Sequence, residues 1–332
     1  MSLPTTQKAV VIETTGGPEV LQYKTDYPVP QPSENQVLVK NNISGINFID
    51  TYFRTGLYPS PKPEVLGREA AGTVAALGPG SESSGLKVGD RVIWLANTGY
   101  AEYSAIATKD IVKIPESVND EEAVAAFLSG LTVLSLVKET YVVKKGDTVL
   151  VHAAAGGAGF LIVQLLKLIG ATVIGTAGGP EKVALVKSLG ADYVIDYRSE
   201  EGKDWVKLVK EFTNDRGVDV VYDSVGKDTW EGSLEAVKRK GFIAWFGNAS
   251  GPVPPFPIQR LATKGITIAR PTLFNYIATR EEFEGYVNQL FELLGSGKLK
   301  VRIHKVYPLE DVQQAHKDLE GRKTTGKLLL KP

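Results

Sequence analysis

The chain contains no cysteine: none of its 332 residues is Cys, and only three are His. This absence excludes disulfides, thiolate metal ligands and a cysteine nucleophile. It is compatible with a reducing compartment, so we expect a cytoplasmic protein.

The chain also lacks an excess of charge, because 38 Lys and Arg balance 38 Asp and Glu. No general attraction to nucleic acid or anionic lipid is expected. The first eight residues are polar, unlike a secretory signal. The longest apolar stretch, 149–170, is interrupted by Gly, His, Gln and Lys. This pattern indicates a strand, a turn and a helix, so we expect no membrane span.

The first third of the chain is predicted to be β-rich. Short β-branched segments bounded by Gly, Pro, Asn or Ser predict strands. They lie at 8–13, 36–44, 72–77 and 90–95. Prolines crowd 28–32 and 59–63, which predicts irregular loops. Little helix is expected before Asn119.

From Asn119 onward, helices and strands alternate. Asn119 and the three acids after it predict the start of a helix over about 119–140. Apolar strands are then predicted at 148–152, 172–176, 193–195, 218–223, 241–246 and 266–269. The predicted helices between them are 157–169, 180–189, 203–213 and 228–238. Continuously apolar strands separated by helices indicate an α/β fold with a parallel sheet covered on both faces. The tail should add helices at 280–294 and 309–319 and a strand at 327–330.

The sharpest motif is AAAGGAG at 153–159, between a predicted strand and a predicted helix. It matches G-x-G-x-x-G with Ala154 in the first place, Gly156 in the second and Gly159 in the third. Small residues allow a sharp turn and a close approach to a pyrophosphate, which the helix N-terminus then faces. The alternative is a Gly-rich packing turn without a ligand. The strand–turn–helix context favours a dinucleotide site.

The next strand end indicates which dinucleotide binds. An NAD site expects an acid about 20 residues on, to hold the ribose 2′-hydroxyl. Thr176 stands there instead, followed by Ala177, Gly178 and Gly179. Small residues leave room for a 2′-phosphate and Lys182 could neutralise it, although a lone Lys is often only a solvated helix residue. The missing acid favours NADPH.

A catalytic zinc is not expected. Zinc binds Cys, His or carboxylate in a tetrahedral set. His152, His304 and His316 are far apart in the sequence, and Cys is absent. Without a Lewis acid, reduction of an activated acceptor, such as a quinone or a conjugated carbonyl, is favoured over alcohol oxidation.

These residues resemble the zinc-free, zeta-crystallin-like quinone oxidoreductases of the medium-chain dehydrogenase/reductase superfamily. The similar segments are AAAGGAG at 153–159, NFIDTY at 47–52, GLYP at 56–59, GREAAG at 67–72, YDSVG at 222–226 and FGN at 246–248. In zinc-dependent relatives a Cys stands near Asn47 and a His usually replaces Arg68. Ala158 departs from the Val that is common in the turn, a change that should be tolerated.

The resemblance implies a domain organisation. A GroES-like catalytic domain should span 1–127, a Rossmann NADPH-binding domain 128–270, and a C-terminal return 271–332 should complete the catalytic domain. The cofactor should lie between the domains.

The resemblance also implies cofactor-binding residues. They are Phe48, Ile49, Asp50, Thr51 and Tyr52 on the nicotinamide side; Thr132 at the domain junction; Gly156, Gly157 and Ala158 at the pyrophosphate; Gly178, Gly179, Pro180, Glu181, Lys182 and Tyr197 at the adenosine phosphate; Ser224, Phe246, Gly247, Asn248 and Ala249 at the ribose and nicotinamide; Thr272, Leu273 and Phe274 at the carboxamide; and Arg322 from the tail.

The catalytic candidates are Asn47, Tyr52 and Tyr58. One phenol could donate a hydrogen bond or a proton to the reduced carbonyl oxygen, and Tyr58 is preferred on position. The alternatives are structural: Asn47 and Asp50 could form a turn in a loop, and the tyrosines could be core or rim aromatics. Arg68 is expected only as an ion-pair partner of a carboxylate, and Asp223 could simply tie strand ends.

The expected activity is hydride transfer from NADPH to a quinone. A 2-enal or enoyl-thioester reductase on the same fold is one alternative. Binding of AU-rich RNA, as in some zeta-crystallin-like proteins, is another, although the neutral charge argues against a strong footprint. The short apolar segment 264–271 should form a sheet edge and pair with a second copy in a homodimer.

Overall fold

The computed structural model describes residues 3–332, which form two compact units. The first contains Met1–Leu128, described from residue 3, with Thr279–Gly295 and Val301–Pro332. The second contains Ser129–Ala278 and Ser296–Lys300. The chain therefore leaves the first unit and later returns to it.

The first unit is mainly β-structure. Its strands are β1 (Thr6–Ile12), β2 (Gln22–Pro28), β3 (Gln36–Ile46), β4 (Glu64–Val65), β5 (Glu69–Leu77), β6 (Arg91–Leu95), β7 (Tyr103–Ala107), β8 (Ile111–Lys113), β15 (Ile303–Pro308) and β16 (Lys327–Lys331). Seven of them form a sheet ordered β15-β16-β3-β5-β6-β8, with β7 also paired to β3. A smaller sheet is ordered β2-β1-β4. Strand β16 runs antiparallel to β3, so the C-terminal tail completes this sheet.

The expectation of little helix before Asn119 holds, since residues 3–118 form one α-helix, α1, which spans Phe48–Thr55. Asp50, at the third position of this helix, accepts the backbone N–H of Asn47 at 2.8 Å. This bond satisfies an N–H that the helix start would otherwise leave unpaired. Asn47 and Asp50 therefore belong to a helix start and not to a loop. Gly56 ends the helix in the left-handed conformation.

The second unit is a parallel six-stranded sheet with helices. The strands are β9 (Thr148–Val151), β10 (Thr172–Ala177), β11 (Tyr193–Asp196), β12 (Val218–Asp223), β13 (Val237–Trp245) and β14 (Thr267–Ala269). Their order in the sheet is β11-β10-β9-β12-β13-β14, and every neighbouring pair is parallel. The helices are α3 (Gly157–Ile169), α4 (Pro180–Ser188), α5 (Trp205–Phe212) and α6 (Trp230–Ala236). This is the doubly wound order of a Rossmann domain. The α/β fold class is confirmed.

Three further α-helices lie within residues 3–332. Helix α2 (Asp120–Ser135) crosses the boundary between the units and continues as a π-helical turn, Leu136–Thr140. Helices α7 (Arg280–Gly295) and α8 (Val312–Glu320) lie in the first unit.

Two features bear on the expectations about boundaries and membranes. Residues 271–278, expected in the C-terminal return, lie in the second unit, where the Thr140 hydroxyl donates to that of Tyr276 at 2.9 Å. The segment Asp120–Thr140 is long and apolar enough to cross a membrane by length and composition alone. It is mostly buried inside the protein, as in a core helix of a folded domain.

Candidate functional site

The Gly-rich turn lies between the end of β9 and the start of α3. Gly156 caps the helix with extended backbone, φ −78°. A Cβ built on Gly156 would meet only the carbonyl oxygen of Ala153, at 3.3 Å. A Cβ on Gly159 would lie 2.3 Å from that same oxygen. Gly159 therefore allows close packing of the helix on the turn, whereas Gly156 leaves open space beside helix N–H groups, as a pyrophosphate requires.

A buried polar network holds this turn from behind. The Thr176 hydroxyl lies 3.1 Å from His152 Nδ1, and the backbone N–H of Ala153 donates to it at 3.3 Å. His152 Nε2 lies 3.3 Å from the Ser233 hydroxyl, which donates to Asp223 at 3.2 Å. Because the carboxylate only accepts, Ser233 accepts from His152, and Thr176 donates to Nδ1. Burial lowers the pKa of His152, so the imidazole stays neutral.

The network changes the role expected of Thr176. Thr176 is 2% exposed and its hydroxyl contacts His152 and the backbone of Ala153, so it anchors the turn. The carboxyl end of β10 therefore presents no acid of its own where an NAD enzyme would place one.

The turn after β10 is covered by the end of β11. A Cβ on Gly178 would lie 2.5 Å from the Tyr197 hydroxyl and 3.0 Å from Arg198 Nε. Asp196 accepts the backbone N–H groups of Gly179 and Arg198, at 2.8 and 3.0 Å. Helix α4 then begins at Pro180, which places the exposed Glu181 and half-buried Lys182 in its first turn. Gly178, Lys182 and Tyr197 are thus gathered at one end of the sheet.

The ends of β12 and β13 meet beside the turn. The N–H of Phe246 donates to the Asp223 carbonyl and that of Ala249 to the Ser224 carbonyl, at 2.9 and 3.1 Å. A Cβ on Gly247 would lie 2.6 Å from the Ser224 carbonyl oxygen. The Asp223 side chain accepts the backbone N–H groups of Val225 and Gly226, at 2.8 and 3.0 Å, so it caps the turn that follows its own strand. The expected cofactor residues of these two strand ends, Ser224 and the segment 246–249, therefore lie together at the carboxyl edge of the sheet.

The remaining expected cofactor residues are scattered. Thr132 is half-buried within α2. Thr272 and Phe274 expose their side chains, but Leu273 is 7% exposed and faces the interior. Arg322 is exposed in the first unit, after α8, with left-handed backbone at φ 54°. Their role in cofactor binding stays a prediction.

In the first unit, Tyr52 lies on α1 and Tyr58 follows shortly after the helix ends. Tyr52 is buried, and its ring packs edge-on against Tyr58 with centroids 5.2 Å apart. Phe53 packs against Tyr58 at 5.6 Å. Tyr58 is half-buried, while Phe48 and Ile49 are partly exposed. These ring contacts fix the two tyrosines but do not assign either one as a proton donor.

Asn47 joins a buried ion pair that sequence reasoning missed. Lys327 Nζ lies 2.5 Å from Glu69 Oε1 and 2.5 Å from Asn47 Oδ1. Asn47 Nδ2 donates to the same Glu69 oxygen at 2.9 Å. The pairing of β16 with β3, Leu328 opposite Ile46, brings Lys327 beside Asn47.

Asp50 lies at one end of a series of buried hydrogen bonds. The Tyr100 hydroxyl donates to Asp50 Oδ2 at 2.8 Å and lies 3.2 Å from His316 Nε2. His316 Nδ1 accepts from Arg54 at 3.0 Å, and Arg54 pairs with Glu320 at 2.7 Å. Burial raises the pKa of Asp50 to about 6, against the bonds from Asn47 and Tyr100 that lower it. Burial and the Arg54 charge lower the pKa of His316 to about 3.

This series of hydrogen bonds cannot deliver protons from Glu320 to Asp50. Arg54 only donates, so His316 donates through Nε2 to Tyr100, which donates to Asp50. A proton moved along it would leave an anionic imidazole, because Arg54 stays protonated. These hydrogen bonds instead hold α1 against α8.

Arg68 is an ion-pair residue, as expected. Its guanidinium lies 3.3 Å from Glu64 and 3.6 Å from the centre of the Phe53 ring, and it also contacts Asn97. Burial lowers the pKa of Arg68.

The family resemblance raises the question of zinc, which the residues present do not fit. Among residues 3–332 no group of three or more His, Cys, Asp or Glu side chains could hold a metal ion. The resemblance implies a His at the position of Arg68 and a Cys near Asn47 in zinc-dependent relatives, and neither the guanidinium of Arg68 nor the amide of Asn47 is a zinc ligand.

Comparison with known proteins identifies the family. Residues 33–116 match the alcohol dehydrogenase GroES-like domain, and 157–292 match the family described as zinc-binding dehydrogenase. Quinone oxidoreductase 1 of Escherichia coli is 45% identical, covering 96% of this chain and 97% of that protein. A 2-haloacrylate reductase of a Burkholderia species is 37% identical, covering 98% of each chain.

A solved structure agrees over the whole fold. Mycobacterial Rv1454c complexed with NADPH is 43% identical, with TM-score 0.94, and covers 98% of this chain and 100% of its own. These matches define a two-domain oxidoreductase with a GroES-like and a Rossmann domain. The chain belongs to the quinone oxidoreductase family of the medium-chain dehydrogenase/reductase superfamily, so the expected membership is confirmed.

Proposed function

We propose that this protein is an NADPH-dependent quinone oxidoreductase. The observation that carries the proposal is the turn from β9 to α3, which leaves open space beside Gly156. The neighbouring strand β10 has no acidic residue at its carboxyl end. The relatives named quinone oxidoreductase and the NADPH-bound relative support the same activity and cofactor.

The second unit fits NADPH along the carboxyl edge of its sheet. The start of α3 carries no acidic residue, so its N–H groups can meet a pyrophosphate. Lys182 and Tyr197 lie at the β10–β11 end and would hold the 2′-phosphate. Ser224 and the 246–249 segment would hold the ribose and nicotinamide half. NADPH supplies the hydride when bound.

The protein's own residues would position the cofactor. The His152 network fixes the turn, and the neutral imidazole adds no charge beside it. In the first unit, Phe48 and Tyr52 of α1 and Tyr58 just beyond the helix would line the substrate side, with Tyr58 as the proposed hydrogen-bond donor to the quinone oxygen.

Reduction of a conjugated carbonyl is the second candidate. The 37% identical 2-haloacrylate reductase favours it, because that substrate name denotes a carbon–carbon double bond conjugated to a carboxylate. An acceptor panel under NADPH separates the two: rapid oxidation of NADPH with a benzoquinone supports the first, and turnover confined to acrylates or 2-enals supports the second. Equal activity with NADH would contradict the cofactor assignment.

Assembly and location belong to the same proposal. We propose a cytoplasmic homodimer in which β14 pairs with its copy across a two-fold axis. Strand β14 is the last strand of the sheet, and Thr267 is exposed. Fractionation and light scattering test these two points. No feature of the described part of the chain favours AU-rich RNA binding, which we do not propose.

A further inference from the structure

A cluster of charged side chains lies against the aromatic candidates of the first unit. The Arg68 guanidinium lies over the Phe53 ring, 3.6 Å from its centre, and this ring packs against Tyr58 with centroids 5.6 Å apart. Arg68 pairs with Glu64 at 3.3 Å, and Lys62 pairs with the same carboxylate at 2.9 Å. Two cations therefore share one carboxylate close to the proposed hydrogen-bond donor.

The Lys62 ammonium is held by its immediate neighbours. Its Nζ donates to Ser60 Oγ at 2.5 Å, to the Ser60 carbonyl oxygen at 3.4 Å and to Glu64 Oε2 at 2.9 Å. The Ser60 hydroxyl donates its own hydrogen to the same Glu64 oxygen, at 2.5 Å. An ammonium has three N–H donors, so those of Lys62 are all engaged.

The Arg68 guanidinium is held in a similar way. Its Nη2 donates to Glu64 Oε1, its Nη1 contacts Asn97 Oδ1, and its Nε is buried. Burial lowers the pKa of Arg68, and the carboxylates of Asp50 and Glu64 oppose this change. Asp50 is ionised above its pKa of about 6. At neutral pH the charges of Lys62 and Arg68 are therefore matched by two carboxylates.

We propose that Glu64 is a specificity-determining residue, which makes the acceptor side of the first unit select uncharged substrates. By engaging Lys62 and Arg68, Glu64 removes the attraction and the donors that a carboxylate or sulfonate requires in exchange for its hydration. The inference rests on the proposed function, which places Tyr58 at the quinone oxygen. It narrows the substrate class to neutral quinones and disfavours anionic acceptors such as a haloacrylate.

The test compares a neutral quinone with an anionic one in charge variants of the full chain. The acceptors are naphthoquinone and a naphthoquinone sulfonate, with NADPH at saturation and at neutral pH. Glu64→Gln leaves both cations in excess, so the ratio of kcat/KM for the sulfonate to that for the parent quinone should rise about tenfold over wild type. High salt should reduce the rise. A merely structural effect would change both acceptors alike and leave the ratio constant.

Two further variants complete the test. Glu284→Gln, which makes the same change in the ion pair with Arg280 on α7, is the matched control and should keep the wild-type ratio. Lys62→Met leaves the carboxylates in excess, so its ratio should fall below wild type. Should Glu64→Gln not fold, the Lys62 variant decides alone. An unchanged ratio in either folded variant, or a shift of both in the same direction, overturns the proposal.

A carboxylate and its ester separate this proposal from the proposed function. The methyl ester of chloroacrylate accepts hydride more readily than the acid, whose negative charge opposes the addition, so wild type should reduce the ester faster. Reduction of the acid at an equal or higher rate would reveal a cation that recognises carboxylate, and it would overturn the proposal even if quinones are reduced. Failure of wild type to reduce any quinone removes the proposed function, and the acid-to-ester ratio still tests the charge argument.

Discussion

The imidazole Nδ1 of His152 lies 3.1 Å from the hydroxyl of Thr176. The contact directs the Thr176 side chain, the polar one at the end of β10, into the interior of the second unit. We therefore expect Lys182 and Tyr197, at the neighbouring turn, to select NADPH over NADH.

Replacing Lys182 with Ala should weaken NADPH binding by about 1–2 kcal/mol, the usual size of a charge-assisted contact. NADH binding should not change, because NADH has no 2′-phosphate. Fluorescence titration with both cofactors measures the difference. Lys187→Ala, in the last turn of the same helix, is the matched control and should leave both affinities intact. An equal loss for the two cofactors would place the 2′-phosphate elsewhere.

Replacing Gly156 with Val should abolish cofactor binding without unfolding the protein. The extended backbone at Gly156 suits a β-branched residue, and only one protein atom lies near the new Cβ. The side chain would fill the space of the pyrophosphate. Calorimetric titration with NADPH and the thermal unfolding curve test the two halves of this prediction.

Gly159→Val provides the contrast to Gly156→Val. Its Cβ would collide with backbone at 2.3 Å, so this variant should fail to fold. Retained NADPH affinity in the folded Gly156 variant would show that the phosphates bind elsewhere.

The second unit could be predicted closely from the sequence, for a physical reason. Parallel strands buried on both faces read as continuous apolar runs, and β12 is buried along its whole length. The phosphate turn is also local, with its glycines within four residues. Both the apolar strands and the glycine-rich turn can therefore be recognised in a short segment of the sequence.

The first unit was harder to predict. Strand β2 is largely exposed and polar, so it lacks an apolar signal. Helix α1 contains Thr and aromatic residues of low helix propensity. It is held by contacts such as Tyr100 to Asp50, 50 residues apart, and Lys327 reaches Glu69 across 258 residues. Pairings over such distances leave no trace in local composition.

Asp50 should make stability depend on pH in an unusual direction. Its folded pKa of about 6 exceeds the ordinary 3.8, so the native state binds more protons between these values. Stability from Asp50 is therefore present below pH 4 and is lost as pH rises to 7, by on the order of 3 kcal/mol. His316 acts oppositely: its pKa of about 3 makes stability rise between pH 3 and 6.5.

A difference measurement separates the two groups. The free energy of unfolding of Asp50→Asn minus that of wild type should grow between pH 4 and 7, because only wild type loses the Asp50 contribution. Tyr100→Phe removes a donor to the carboxylate, so its pKa should rise above 6 and the loss should begin at higher pH. Urea unfolding across this pH range gives the values. A difference independent of pH would contradict the raised pKa.

The last prediction concerns the edge strand β14. It has three residues, pairs with β13 and is the last strand of the sheet, so its outer edge is the one available for pairing with another strand. In the proposed dimer, Thr267→Pro removes a ladder donor and should weaken association at least tenfold. Thr267→Val keeps the backbone N–H and should leave the dimer intact, while unchanged NADPH affinity in both variants would show that the Rossmann sheet is preserved. Light scattering at micromolar concentration measures the assembly, and a monomeric wild-type protein would contradict the dimer before any variant is made.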